Sequence, residues 1–151
     1  MLLNMLIVLV LILLNGFFAM SELAVVSARR ARLQDLAQQR RRGAAAALQL
    51  AAEPGRFLSS VQIGISLIGV LAGAFGGAAL AGPLAGWLAG TFPALATAAS
   101  ELAFGIVVGG ITYLSLIVGE LVPKQLALRN AEQIACLTAP VMTVLARVAS
   151  P

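Results

Sequence analysis

Two acidic side chains lie in long apolar stretches of the sequence, where a carboxylate is costly. Glu22 comes near the end of the apolar run that opens the chain, and Glu120 closes a later one. An acid at the centre of a bilayer costs about 2.5–3.5 kcal/mol on insertion scales, and less near the interface. Both acids could simply cap helices, or pair with Arg29 and Lys124 at the headgroups. Their positions still make them the first candidates for binding a cation.

The sequence around Glu120 also predicts an interruption in helical hydrogen bonding. Pro123 follows three residues later, and its nitrogen has no hydrogen to donate to the carbonyl four residues back, at Gly119. A carboxylate and a freed backbone carbonyl are therefore expected side by side. Broken helices at membrane depth are tolerated where they line a cavity, and they commonly present oxygens to a cation.

Other oxygen-bearing side chains lie on the remaining apolar stretches. Ser21 adjoins Glu22, and Gln62 and Ser66 are four residues apart, on one face of a helix. A serine in an apolar helix usually donates to its own backbone, and Gln62 and Ser66 could equally hold two helices together. Taken together, the apolar stretches offer oxygen ligands at several points.

The composition excludes several classes of function. The chain has no histidine and one cysteine, Cys136, so it can form neither a zinc site of the usual kind nor an internal disulfide. A metal site would have to use oxygen ligands, which favours hard cations such as Mg²⁺. No catalytic triad or nucleotide-binding glycine loop is present, so we expect no enzyme. The net charge of +4 lies beside apolar segments rather than on a nucleic-acid-binding motif.

The elements that position these residues are predicted to be membrane-spanning helices. The chain is 60% hydrophobic and 11% charged, with a mean hydropathy of +0.98, which is too apolar for a water-soluble domain. We predict an all-α membrane protein with three spans and cytoplasmic juxtamembrane amphipathic helices. The predicted segments are a first span at about 1–26, one or two juxtamembrane helices at 27–56, a second span at 57–81, an external loop at 82–101, a third span at 102–119, and an interfacial segment at 120–151.

Basic residues in the loops predict the orientation. The 27–56 segment holds seven arginines, the 82–101 segment has no Lys or Arg, and the C-terminal segment has three basic residues. The positive-inside rule then places the N-terminus outside and the C-terminus inside. The apolar stretch 134–148 could be an interfacial helix, a fourth span or the start of a cytosolic connection. We expect an interfacial helix because the stretch is short and Pro140 interrupts it.

Three ordered motifs resemble those of the CNNM/CorC family, whose bacterial members are often labelled hemolysin-like or magnesium and cobalt efflux proteins. The motifs are NGFFAMSE at 15–22, SVQIG at 60–64 and GELVPK at 119–124. The resemblance covers nearly the whole chain. It implies a homodimer with a juxtamembrane helical belt in the bacterial inner membrane, in contact with lipid. The implied activity is export of a small cation, Mg²⁺, driven by Na⁺ entry.

The resemblance also implies which residues hold the ion. The serine of the first motif falls on Ser21 and the glutamate of the third on Glu120, which makes these two the expected ligands. Glu22, Ser66 and Gly119 are secondary candidates. Full-length members continue into a pair of CBS domains and a C-terminal domain, which are absent from this sequence. Because the sequence stops just after an apolar segment, we expect it to be part of a longer protein.

One departure from the family pattern leaves the substrate open. Many transport-competent members carry asparagines shortly after the glycine of the second motif, but here 64–69 reads GISLIG, and Ser66 is the nearest oxygen donor. Relatives with this kind of second motif have been linked to polyamine export. Export of a polyamine such as putrescine or cadaverine is therefore one alternative. A membrane anchor or dimerisation module for cytosolic domains is another.

Overall fold

The computed structural model describes residues 1–149, and throughout this range the chain is helical, without strands. The long helices correspond to the predicted apolar stretches, which confirms an all-α membrane protein. The elements are α1 (Leu2–Ser27), α2 (Arg30–Gln38), α3 (Ala44–Ala52), α4 (Pro54–Thr91), a 3₁₀ turn (Pro93–Leu95), α5 (Ala99–Leu116), a π segment (Ile117–Leu121), α6 (Val122–Arg129) and α7 (Ala131–Ala149).

The helices α1, α4 and α5 pack together as a bundle whose outer surface is apolar. Val8 and Ile12 of α1 meet Ala72 of α4 and Ile111 of α5 in a buried cluster. Large apolar side chains point away from this cluster; Val70, for example, is 68% exposed. A bundle with its leucines and valines outward requires an apolar surrounding, because water would penalise that surface.

The arginine-rich segment forms two short helices, one of the two arrangements that the sequence left open. α2 ends at Gln38, and the chain then turns through Arg40 and Gly43, both with positive φ, at 56° and 82°. α3 ends at Ala52, and α4 begins at Pro54, whose fixed φ suits the first turn of a helix. Leu33 of α2 is fully buried in a cluster that joins both short helices to α1, α4 and α7.

Four helices in the described part of the chain are long and apolar enough to cross a membrane, where the sequence predicted three. The additional one is α7, which was expected to be short and broken. Pro140 lies inside this continuous 19-residue helix. A proline there leaves the Cys136 carbonyl, four residues back, without its helical donor. The backbone of Gly43 packs directly against that carbonyl.

The other long helices also extend further than predicted. The expected external loop, 82–101, is mostly helical, because α4 continues through Pro83 to Thr91. Its C-terminal end is stabilised by α5: Leu88 packs in a buried cluster with Ala99 and Ala103. The expected third span, 102–119, lies within a 31-residue apolar helical stretch, Ala99–Arg129, that includes the π segment.

α7 runs beside α3 along the whole of that short helix. At one end, Gly43 meets Cys136. At the other, Leu50 and Glu53 line the same cavity as Thr143 and Arg147. Residue numbers increase in the same direction along both helices between these two contacts. The two helices are therefore roughly parallel neighbours.

Gly43 is expected to be sensitive to the smallest possible substitution. In Gly43→Ala the new Cβ would collide with the Cys136 carbonyl, and the backbone would keep a left-handed φ of 82°. The backbone strain costs roughly 1–2 kcal/mol and the overpacking roughly 1–3 kcal/mol. We expect a lower midpoint of thermal denaturation in detergent, followed by circular dichroism.

Gly69→Ala is the matched control. A Cβ at Gly69 meets no atom within 4 Å, and alanine favours a helix more than glycine does. Its denaturation midpoint should stay the same or rise. Equal midpoints for the two variants would contradict the tight α3–α7 packing.

Candidate cation site at the π segment

The third long helix changes its hydrogen bonding at the position that the sequence indicated. At the end of the π segment the Val122 N–H donates to the Ile117 carbonyl, five residues back instead of four. The donor that an α-helix would offer to the Val118 carbonyl is thereby diverted. The next residue, Pro123, has no N–H for the Gly119 carbonyl. Two consecutive carbonyls thus lose their helical donors.

Asn15 of α1 occupies the space beside these carbonyls. Its Nδ2 donates to the Gly119 carbonyl at 3.1 Å, so the freed oxygen is partly satisfied from another helix. The amide is buried, at 8% exposure, and its other end, Oδ1, has no hydrogen-bond partner. An unsatisfied buried acceptor costs about 1–3 kcal/mol. Such a group in a folded protein calls for an explanation, and a bound cation would provide one.

Two glycines allow α1 and the π segment to approach this closely. A Cβ on Gly16 would lie 3.0 Å from Cγ of Pro123 and 3.1 Å from the Val118 carbonyl oxygen. A Cβ on Gly119 would lie 3.1 Å from Nδ2 of Asn15. No side chain at these two positions therefore separates the backbone oxygens of the π segment from α1, and the Asn15 amide lies against these oxygens.

Glu120 follows Gly119 in the π segment, and its carboxylate forms an ion pair on its own helix. Nζ of Lys124 lies 2.7 Å from Oε1 of Glu120, and both side chains are partly exposed. This is the pairing that the sequence offered as the simpler interpretation of Glu120. An (i, i+4) pair with the acid first is worth about 0.2–0.5 kcal/mol on a helix in water. The lysine balances the charge of the carboxylate, so Lys124 would compete with any cation that binds at Oε1.

The structure places the other predicted site residues apart from the Asn15–Gly119 contact. Ser21 is fully buried and donates to the Phe17 carbonyl at 2.7 Å, as an isolated serine in a helix often does. It lies six residues beyond Asn15, about 9 Å along α1 at 1.5 Å per residue. Glu22 is partly buried one residue further on. Ser66 and Gln62 are both exposed on α4.

The sequence-based site prediction did not include Asn15, although a signal was present. Asn15 is an isolated amide after ten apolar residues, 5–14, and it opens the first motif. A polar side chain inside an apolar helix usually faces the interior of a bundle and has a function there. The hydrogen-bond partner of each end of the amide is set by the contact between α1 and the π segment. That contact cannot be derived from the sequence alone.

The chemistry of this oxygen set fits a cation better than any covalent reaction. It combines the Asn15 amide oxygen, two backbone carbonyls and one carboxylate, all hard ligands of the kind that Mg²⁺ and Ca²⁺ prefer. Within residues 1–149 no group of three or more His, Cys, Asp or Glu side chains gathers. Most of these candidate ligands are therefore uncharged dipoles, with Glu120 as the one negative charge among them.

Comparison with known proteins agrees with this architecture. The chain is 52% identical over 142 residues to a UPF0053 protein of Synechocystis, which covers 94% of this chain and 32% of that protein. A UPF0053 protein of Bacillus subtilis is 35% identical over 133 residues, covering 86% and 28%. A protein of Haemophilus influenzae named polyamine export protein is 30% identical over 134 residues, covering 87% and 30%.

The chain thus spans about a third of the length of the curated relatives it matches. The family model described as the cyclin M transmembrane N-terminal domain matches residues 6–151. That match includes α1, the π segment and the motif residues of the site. The chain therefore belongs to the CNNM family, as its transmembrane domain.

Proposed function

We propose that this chain is the membrane domain of a cation exporter, that Mg²⁺ is the exported ion and that Na⁺ entry drives it. The observation that carries the proposal is the buried, unpartnered Oδ1 of Asn15, on the same amide that donates to the Gly119 carbonyl of the π segment. A cation there would gain the ligand that the folded chain leaves unused. The proposed role is transport and not catalysis, in line with the export name of the Haemophilus influenzae relative.

The mechanism proposed is alternating access around the π segment. Mg²⁺ would displace Lys124 from Glu120 and draw the carboxylate toward the carbonyls of Val118 and Gly119. Because a π segment lacks the regular α pattern, its carbonyls can be exchanged between helix and ligand at low cost. Ser21 and Glu22, nearer the cytoplasmic end of α1 in the topology proposed below, would contact the ion before it reaches the π segment.

A three-span topology is part of this proposal, with the N-terminus outside and the arginine-rich helices inside. α7 is apolar enough to span, but it lies along α3, which has nine residues and cannot cross a bilayer. Arginines flank α3 on both sides, at 40–42 and at 56. A helix parallel to α3 is therefore best placed at the membrane surface, which would keep the C-terminus inside.

Polyamine export is the second candidate, and two observations favour it. The chain is similar to a protein named for polyamine export, and its second motif offers only the exposed Ser66 where many family members have asparagine. The Glu120 carboxylate already holds an ammonium group, that of Lys124, at 2.7 Å. A diamine such as putrescine could replace this lysine ammonium without any metal-type coordination.

Isothermal titration of the detergent-purified chain would separate the two candidates. We expect Mg²⁺ to bind, and putrescine to leave the Mg²⁺ isotherm unchanged. If putrescine binds and Mg²⁺ does not, the exported cation is a polyamine. If neither binds, the chain is a membrane anchor or dimerisation module. A homodimer in the bacterial plasma membrane is proposed in each case, and its subunit count can be measured by light scattering in the same detergent.

A further inference from the structure

Two neighbouring cavities on the surface of the bundle together form an amphipathic groove. The first, of about 390 Å³, lies between α3, the start of α4 and the end of α7. The second, of about 320 Å³, lies between α1, α4 and α7. Phe57 and Ala146 line both of them, so the two cavities are direct neighbours. Each has a volume typical of a small-molecule site.

The two cavities differ sharply in chemistry. The first is lined by the charged side chains of Arg56, Arg147 and Glu53, together with Gln49 and Thr143. The two arginines outnumber the one carboxylate, which leaves a net positive lining. The second cavity is lined almost entirely by apolar groups, and its one polar side chain is that of Ser60. Its hydroxyl donates to the carbonyl of Arg56 on its own helix.

The dimensions and order of these parts match a membrane lipid. Both arginines stand near helix ends, Arg56 two residues into α4 and Arg147 two residues before the end of α7. From Phe57 at the junction, the apolar cavity follows α4 as far as Ile68. Eleven residues at 1.5 Å each give about 16 Å. This length is about half of the ~30 Å hydrocarbon core, the depth of one leaflet.

We propose that this groove binds one anionic glycerophospholipid, with its phosphate on Arg56 and Arg147 and an acyl chain along α1 and α4. Arginine is suited to phosphate because its planar fork can donate two parallel hydrogen bonds. Glu53 orients the headgroup by accepting hydrogen bonds from its hydroxyl groups. The bound lipid would brace α7 against α4 beside the cation site.

Native mass spectrometry of the detergent-purified chain tests this binding. The chain is incubated with equal amounts of phosphatidylglycerol and phosphatidylcholine. We expect one phosphatidylglycerol to be retained in preference to phosphatidylcholine, and Arg147→Gln to reduce this preference about fivefold, since an interfacial arginine contributes about that factor. Arg32→Gln removes an arginine of α2 outside both cavities and should leave the preference unchanged.

Two further measurements of phosphatidylglycerol retention test the proposal. Ala146→Phe places a ring at the junction of the cavities and should lower phosphatidylglycerol retention while circular dichroism shows an unchanged helical content. Excess inorganic phosphate should not displace the lipid, because the acyl chain anchors it. Equal retention of both lipids, equal effects of Arg147→Gln and Arg32→Gln, or displacement by inorganic phosphate would each overturn the proposal.

Discussion

Replacing Glu120 with glutamine is expected to abolish cation transport while leaving the fold intact. Glutamine keeps the shape and length of the side chain but removes the one negative charge of the π segment. Replacing a residue that only supports a metal ligand typically lowers metal affinity by about 10–100-fold. Loss of the charged ligand itself should therefore lower Mg²⁺ affinity by at least about 100-fold. The lost pairing with Lys124 should matter little for stability, because both side chains are partly exposed.

Mg²⁺ efflux from proteoliposomes is measured under two conditions, with an inward Na⁺ gradient and without a Na⁺ gradient. The wild-type chain should transport only with the gradient, and Glu120→Gln should not transport in either condition. Glu101→Gln is a matched control, because Glu101 lies in the first turn of α5, far along the chain from the π segment. Transport by Glu120→Gln at the wild-type rate would rule out Glu120 as a ligand, whereas no transport by the wild-type chain would favour the anchor function.

The sequence predicted the interruption in helical hydrogen bonding near Gly119 because the residues that cause it are local. Pro123 has no N–H wherever it stands, so a disrupted carbonyl at Gly119 follows from covalent structure alone. Glu120 is three residues away, on the same stretch of chain. The π geometry itself, which also diverts the donor of the Val118 carbonyl, depends on how the helix packs, and it could not be derived from the order of residues.

Contacts between distant segments account for what the sequence did not reveal. Asn15 and Gly119 are 104 residues apart, and their hydrogen bond exists only because Gly16 and Gly119 let two helices approach. Pro140 was expected to interrupt the 134–148 stretch, yet α7 continues through it while Gly43 packs on the freed carbonyl. Likewise, Pro83 does not end α4, because Leu88 beyond it is held by α5.

Asn15→Leu should separate the function of the site from its stability. Leucine has the same branching at Cγ as asparagine but no polar atoms. The substitution removes the unpartnered Oδ1, which relieves about 1–3 kcal/mol, and it also deprives the Gly119 carbonyl of its donor, which costs a similar amount. Because these two effects oppose each other, we expect a change of less than about 1 kcal/mol in the free energy of unfolding.

Cation binding should respond very differently to the same substitution. If Oδ1 is a ligand, its loss should weaken Mg²⁺ binding in calorimetry by about 10–100-fold. Asn4→Leu, a change of the same kind on α1 but near its start, should leave binding unaltered. The opposite pattern, a destabilised Asn15→Leu protein with unchanged affinity, would mean that Asn15 serves only to hold α1 against the π segment. A chain that keeps a costly unpaired acceptor, when leucine would be equally stable, is best explained by a ligand that uses that acceptor.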